Sequence, residues 1–167
     1  MAKIIKKMIP IVVDTREQNP FVFIGFPAST KPATLHTGDY SIKGFEDKIC
    51  IERKSLGDLA SCMTIGRERF ERELERMRSM ECAAVIVEEP FCNITQGNYR
   101  SKLNVKSFEQ SILSLMFRYR VPFLFGQSRR HAEVITFNCL RHYYNQTLPE
   151  GSKIPYREYL YQNVSRS

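Results

Sequence analysis

The chain has 167 residues, with 25 Lys and Arg against 18 Asp and Glu, for a formal net charge of +7. That length suits one domain with a real core, and five cysteines without a C-x-x-C pair argue against both a disulfide framework and zinc. No run spans a membrane and Met1–Lys7 lacks the apolar core of a signal peptide, so free thiols in a reducing intracellular compartment are expected, whether nucleus or the cytoplasm of a bacterial or phage-infected cell.

In chain order, the apolar run from Ile9 to Val13 reads as a buried strand ending in Asp14. Strand C-termini in α/β sheets often open onto a site, and Arg16 and Glu17 follow in the exit loop. A terminal Asp can equally just start a turn.

Asp39–Lys43 and Lys48–Glu52 alternate polar and apolar residues around a turn at 44–47, which reads as a β-hairpin. A four-residue turn pairs Ser41 with Cys50 and Asp39 with Glu52, placing opposed Cβ atoms about 4.5–5.5 Å apart. Tyr40, Ile42, Ile49 and Ile51 then face a core, while Asp39, Glu52 and Lys54 face together away from it. Two opposed carboxylates repel unless a cation sits between them. Mg²⁺ or Mn²⁺ suits such hard oxygen ligands and keeps waters, one of which can become a nucleophile. A neighbouring lysine can orient that water or stabilise transition-state charge. The alternative is a solvated hairpin face, or a register slipped by one that scatters the set. The accumulation of acids at Asp14, Glu17 and Asp58 favours the cation, with Ser55 capping a short helix that carries Asp58.

Residues 66–80 form a charged helix with a narrow seam of Phe70, Leu74 and Met77, its surface charges pairing as Glu68/Arg72 and Arg69/Glu73. Ala83–Val87 is a strand ending in Glu88-Glu89-Pro90. Residues 97–102 form a polar loop suited either to DNA contact or to plain connection. Ser107–Arg120 is a helix, Pro122–Phe125 a short strand, and Ser128 caps a last helix to about Tyr144. Arg129 and Arg130 at its start suit phosphates or a solvated cap. Lys and Arg number fourteen against fourteen acids in residues 1–99, and eleven against four beyond, so a basic C-terminal surface beside an acidic pocket is expected.

The segments Asp14-Thr15-Arg16-Glu17, Gly38-Asp39-Tyr40, Glu52-Arg53-Lys54 with Asp58, and Gly66-Arg67 resemble the nuclease domain of the XPF family of structure-selective DNA endonucleases. The resemblance runs from Pro10 to Asn145. It implies a restriction-endonuclease-like α/β core, a mixed central sheet flanked by helices, and metal-dependent hydrolysis of branched or flap DNA in repair or recombination, usually within a homodimer or heterodimer. By match to the motif, Asp39 and Glu52 are metal ligands and Lys54 is catalytic. Asp14, Glu17 and Asp58 are acidic support, and Arg16, Arg53 and Arg67 lie near the scissile phosphate.

Residues 1–146 are accordingly read as the nuclease domain and 147–167 as a tail, opened by Pro149, Gly151 and Pro155, whose Tyr156, Tyr159, Leu160 and Tyr161 pack on the core or a partner. Cellular members usually continue into a tandem helix-hairpin-helix domain; the sequence here is either a compact stand-alone member or a piece of something longer. The competing function is a catalytically silent DNA-binding or partner subunit of a nuclease complex. The presence of Asp39, Glu52, Lys54 and Asp58 together favours the enzyme, and cleavage of RNA differs only in substrate.

Overall fold

Apolar runs of five or six residues build the frame. The computed structural model describes residues 7–155. In it the strands are β1 (Ile9–Asp14), β2 (Ala28–Ala33), β3 (Tyr40–Ile42), β4 (Ile49–Lys54), β5 (Cys82–Val87) and β6 (Phe123–Phe125). The helices are α1 (Leu56–Cys62), α2 (Arg67–Arg78), α3 (Cys92–Thr95), α4 (Val105–Tyr119) and α5 (Arg129–Gln146). One six-stranded sheet has the order β2-β1-β3-β4-β5-β6. β1 and β2 run parallel, as do β4, β5 and β6, while β3 is antiparallel to both its neighbours and joins the two blocks. The architecture is the mixed, helix-flanked sheet of a restriction-endonuclease-like core.

Period-two alternation divides the strands between two cores. Ile11, Tyr40, Ile42, Ile51 and Ile86 pack under α5 against Val134, Phe137 and Leu140. On the other face Cys50, Val85 and Val87 meet Leu59, Phe70, Leu74 and Leu115 from α1, α2 and α4. This corrects one sequence expectation. The face carrying Glu52 and Lys54 is not turned away from a core but continues into the second one, and Glu52 is only 5 % exposed. The predicted hairpin register does form, with Tyr40 opposite Ile51.

β2 escaped the sequence reading because Ala28-Ser29-Thr30-Lys31-Pro32-Ala33 has no apolar period; it is a mostly exposed edge strand, where proline is tolerated. The connection before it is anchored by Phe21, Phe23 and Phe26, whose rings pack on Tyr40 and Phe137. α4 starts two residues earlier than expected because Asn104, not a later residue, caps it through the Ser107 N–H. Within the tail, Ile154 is buried in the α5 core and its main chain is held by Asn145 at 2.8 and 2.9 Å. The aromatics Tyr156, Tyr159 and Tyr161 lie outside the described residues.

Phe137 sits where α5, the aromatic loop and the sheet meet. Phe137→Ala should lower stability by about 3–5 kcal/mol, the range for a buried phenylalanine truncated in a packed core. Urea unfolding reads this as a lower midpoint at unchanged slope; a loss under about 1 kcal/mol would show that α5 does not carry this core.

Candidate active site

A glycine sets the position of the first carboxylate. Gly38 has φ +77°, and a Cβ there would come within 2.9 Å of Cys50 Cβ and 3.2 Å of the Ile51 carbonyl, so only glycine fits. The chain then turns so that the Asp39 N–H donates to the Ile51 carbonyl at 2.8 Å, one residue off the β3–β4 register. The Asp39 carbonyl accepts from the Asp14 N–H at 2.8 Å. Asp39 is therefore pinned between β1 and β4 rather than sitting in a simple pair with Glu52. Its Oδ2 accepts the Arg53 N–H at 2.8 Å, and Oδ1 has no hydrogen-bond partner among the described residues.

Glu52 and Lys54 follow on one face of β4. The Lys54 ammonium donates to Glu52 Oε1 and lies 3.9 Å from Glu73 Oε2 of α2, above the Phe70 ring. Burial raises the Glu52 carboxyl well above its ordinary range, and the nearby Asp39 charge adds to this. Burial likewise pushes Asp39 up to about 6, helped by Glu17 and Glu73 and opposed by the Arg53 N–H. Burial works against the Lys54 ammonium, but Glu52 and Glu73 outweigh it and keep it charged.

The remaining acids have other partners. Asp14 accepts Arg16 Nε at 2.7 Å and NH2 at 3.0 Å, as well as the Leu35 N–H at 2.7 Å. Burial alone would raise its pKa, yet these bonds bring it below its usual value. Glu17 takes a fork from Arg53 at 2.9 and 3.0 Å plus the Asn19 N–H, again ending below its usual value despite burial. Asp58 closes a reciprocal cap with Ser55 on the first turn of α1, as expected, and Glu89 accepts the Leu56 N–H. Asp14 and Glu17 thus hold arginines, while Asp39 and Glu52 have oxygens to spare.

The arginines separate too. Arg16 is largely exposed at the mouth of the site. The Arg53 side chain lies on the opposite sheet face from Lys54, in a charge chain running Glu17–Arg53–Glu88–Arg129. Arg67 does not join the cluster: it pairs with Glu71, which also takes the Tyr119 hydroxyl of α4 at 3.0 Å. Arg129 and Arg130 stack on Phe21 and Phe26 and are paired with Glu88 and Glu133, so neither is a spare phosphate contact. Tyr99 packs on Phe108 and bonds the Leu103 carbonyl, which makes the 97–102 segment a structured connection.

Around the carboxylates lies an open cleft of about 790 Å³ whose walls include Arg16, Glu17, Asp58, Ile65 and Arg69. A smaller groove of about 270 Å³ continues past the same Asp39, Glu52 and Lys54 toward His36, Glu73 and Arg76. Among the described residues every lining residue of both precedes residue 77, so the described part of the basic C-terminal surplus does not form these walls. Arg69, Glu73, Arg76 and Glu88 were missed in the sequence. The first pair was read as an i,i+4 surface bridge; the signal available was that residues 69, 73 and 76 share one helix face.

Among the described residues no three His, Cys, Asp or Glu side chains converge as a metal cage. The donor chemistry nevertheless fits a hard dication, because Mg²⁺ is commonly held by one or two carboxylates plus waters and substrate oxygens. Asp39 supplies an unpartnered oxygen, and both carboxylates are raised by burial together with negative neighbours.

Residues 13–139 match the ERCC4 domain. A protein of Methanocaldococcus jannaschii, named as an ATP-dependent RNA helicase, is 30 % identical over 126 residues; these are 75 % of this chain but only 14 % of that protein. The fold resembles XPF from Aeropyrum pernix with a TM-score of 0.66 at 21 % identity, over 82 % of this chain and 66 % of that one. XPF from the same organism in complex with DNA gives 0.64 at 21 % identity, over 87 % and 70 %.

The raised carboxyl of Asp39 gives a stability test. Unfolded, the group ionises near 3.8; folded, at about 6. Its contribution favours the fold most below pH 3.8 and is lost as pH rises through 6. In EDTA at neutral pH, Asp39→Asn, which keeps an acceptor for the Arg53 N–H, should therefore stabilise the protein by about 1–3 kcal/mol. Added Mg²⁺ should raise the wild-type melting temperature at pH 7 but not at pH 4. Equal melting curves for variant and wild type in EDTA would show that ionising Asp39 costs the folded protein nothing.

Proposed function

The chain belongs to the ERCC4 domain family, and from that membership and the geometry of the cleft we propose that it is a divalent-metal-dependent endonuclease acting on DNA, with branched or flap structures as its substrates. The observation that carries the reading is the convergence of Asp39 and Glu52 beside Lys54 in an open cleft with arginines on its walls. A buried Glu52 carboxyl raised further by the charge of Asp39 is costly to ionise unless a cation offsets it.

Asp39 and Glu52 are the residues that would hold Mg²⁺ or Mn²⁺, which when bound supplies Lewis acidity and a water of lowered pKa. Lys54, kept protonated by Glu52 and Glu73, is placed to stabilise charge developing on the phosphate. Arg53 works through its main chain, which fixes Asp39, while its side chain is immobilised by Glu17 and Glu88. Arg16, aimed by its fork on Asp14, offers an exposed guanidinium at the mouth for the backbone of an incoming strand. Asp58 supports the cleft edge as the cap partner of Ser55.

Action in DNA repair or recombination, pairing into a homodimer or heterodimer, and a reducing intracellular setting belong to the same reading. The helicase activity in the archaeal relative's name is not carried over, since this chain spans 14 % of that protein.

A cleavage panel of flap, fork, nicked, duplex and single-stranded DNA with Mg²⁺, Mn²⁺ or EDTA tests the proposal. Cutting should require the metal, and Glu52→Gln should abolish it without unfolding the chain. Lys54→Ala should slow turnover by about 10²–10³-fold, the loss expected for a donor to transition-state charge. Binding of these DNAs without cleavage by the wild type, under either metal, would instead establish a silent subunit.

A further inference from the structure

The five arginines of α2 divide into two sets. Arg67, Arg72 and Arg78 are each paired with a glutamate of the same helix: Glu71, Glu68 and Glu75. Arg69 and Arg76 are exposed and have no carboxylate partner among the described residues. They are the two that line the smaller groove. Glu73 lies one turn from each and could neutralise either, yet its carboxylate is nearest Lys54 instead. The groove is also bordered by His36 and by Thr37, whose buried hydroxyl has no hydrogen-bond partner among the described residues.

We propose that Arg69 and Arg76, together with His36, form a phosphate subsite that holds the substrate backbone on one side of the scissile bond. The inference rests on the nuclease reading above and assigns that cleft a direction. Residues seven apart lie on one helix face, and at 1.5 Å rise per residue their Cα atoms are about 10.5 Å apart along the axis. One strand of B-DNA advances about 3.4 Å per nucleotide along the duplex axis but also winds around it, which puts successive phosphates nearly twice as far apart in space, so the two guanidiniums span about two nucleotide steps. Arg69, which also borders the larger cleft beside the carboxylates, meets a phosphate close to the cut. Arg76 meets one about two nucleotides away. The larger cleft shares Arg16 and Arg69 with the groove, but its other arginine, Arg53, is paired with Glu17 and Glu88, and its rim carries Ile65, which is 98 % exposed. The strand is therefore gripped asymmetrically, by its backbone on the Arg76 side.

Wild type and Arg76→Ala are compared on cleavable DNA carrying a single uncharged methylphosphonate, moved from the first to the fourth phosphate on each side of the cut. With unmodified DNA, Arg76→Ala should lower kcat/KM about fivefold near 0.1 M salt, and the slope of log kcat/KM against log salt should flatten by about one. In the wild type, a methylphosphonate about two nucleotides out, on one side only, should produce a similar loss. In Arg76→Ala that same modification should produce no further loss. Arg72→Ala, whose arginine pairs with Glu68 on the outward face, serves as the control and should behave as wild type throughout. Arg76→Ala with wild-type kcat/KM and salt slope would overturn the subsite, as would losses that multiply at every phosphate. Both outcomes leave the nuclease reading standing. A wild-type chain that cuts no DNA with either metal would overturn that reading and the subsite together.

Discussion

Two carboxylates, Asp39 and Glu52, line the same cleft in surroundings that disfavour their ionised forms, and the rest of the site answers to that cost. Burial denies them the solvent that would screen their charge, so each is driven toward its protonated form. Lys54 compensates Glu52 in part, and the Arg53 N–H compensates Asp39 in part. A hydrated dication would complete the balance. The strain is maintained by backbone: a glycine that no other residue can replace turns Asp39 inward, and β4 carries Glu52 and Lys54 on one side of its pleat.

Charge elsewhere in the site is organised so that this imbalance stays local. Asp14 and Glu17 are each closed by an arginine fork, and Asp58 by a serine cap. The acids that a sequence motif groups as one cluster thus divide by environment into two that are only partly compensated and three that are closed by their partners. The division follows from position. Asp14 and Glu17 flank the exit of β1, where main-chain N–H groups and Arg16 are at hand, whereas Asp39 and Glu52 come from the strands between which few donors fit.

Much of this was legible beforehand. The hairpin register, the face shared by Glu52 and Lys54, the capped helix bearing Asp58 and the seam of α2 all follow from period and spacing, which are local. What escaped was non-local. β2 has no apolar pattern and exists only because β1 offers it an edge. The second core over Glu52 could not be inferred from a hairpin whose polar face looked solvated. Arg69 rather than Arg67 borders the cleft because helix phase relative to the sheet decides which one enters it, and Glu71 with Tyr119 draws Arg67 toward α4. Of the C-terminal arginines that suggested a binding surface, Arg129 and Arg130 are instead taken up in packing on Phe21 and Phe26 and in pairing with Glu88 and Glu133.

Arg53 belongs to both sides of the sheet at once: its amide steadies Asp39 while its guanidinium is locked between Glu17 and Glu88, and Glu88 in turn receives Arg129 from the start of α5. The ladder of β4 is therefore a through-wall fitting. Loss-of-function alleles in a chain of this kind would map not only to the visible mouth but also to the reverse of the molecule, at positions that touch no nucleotide.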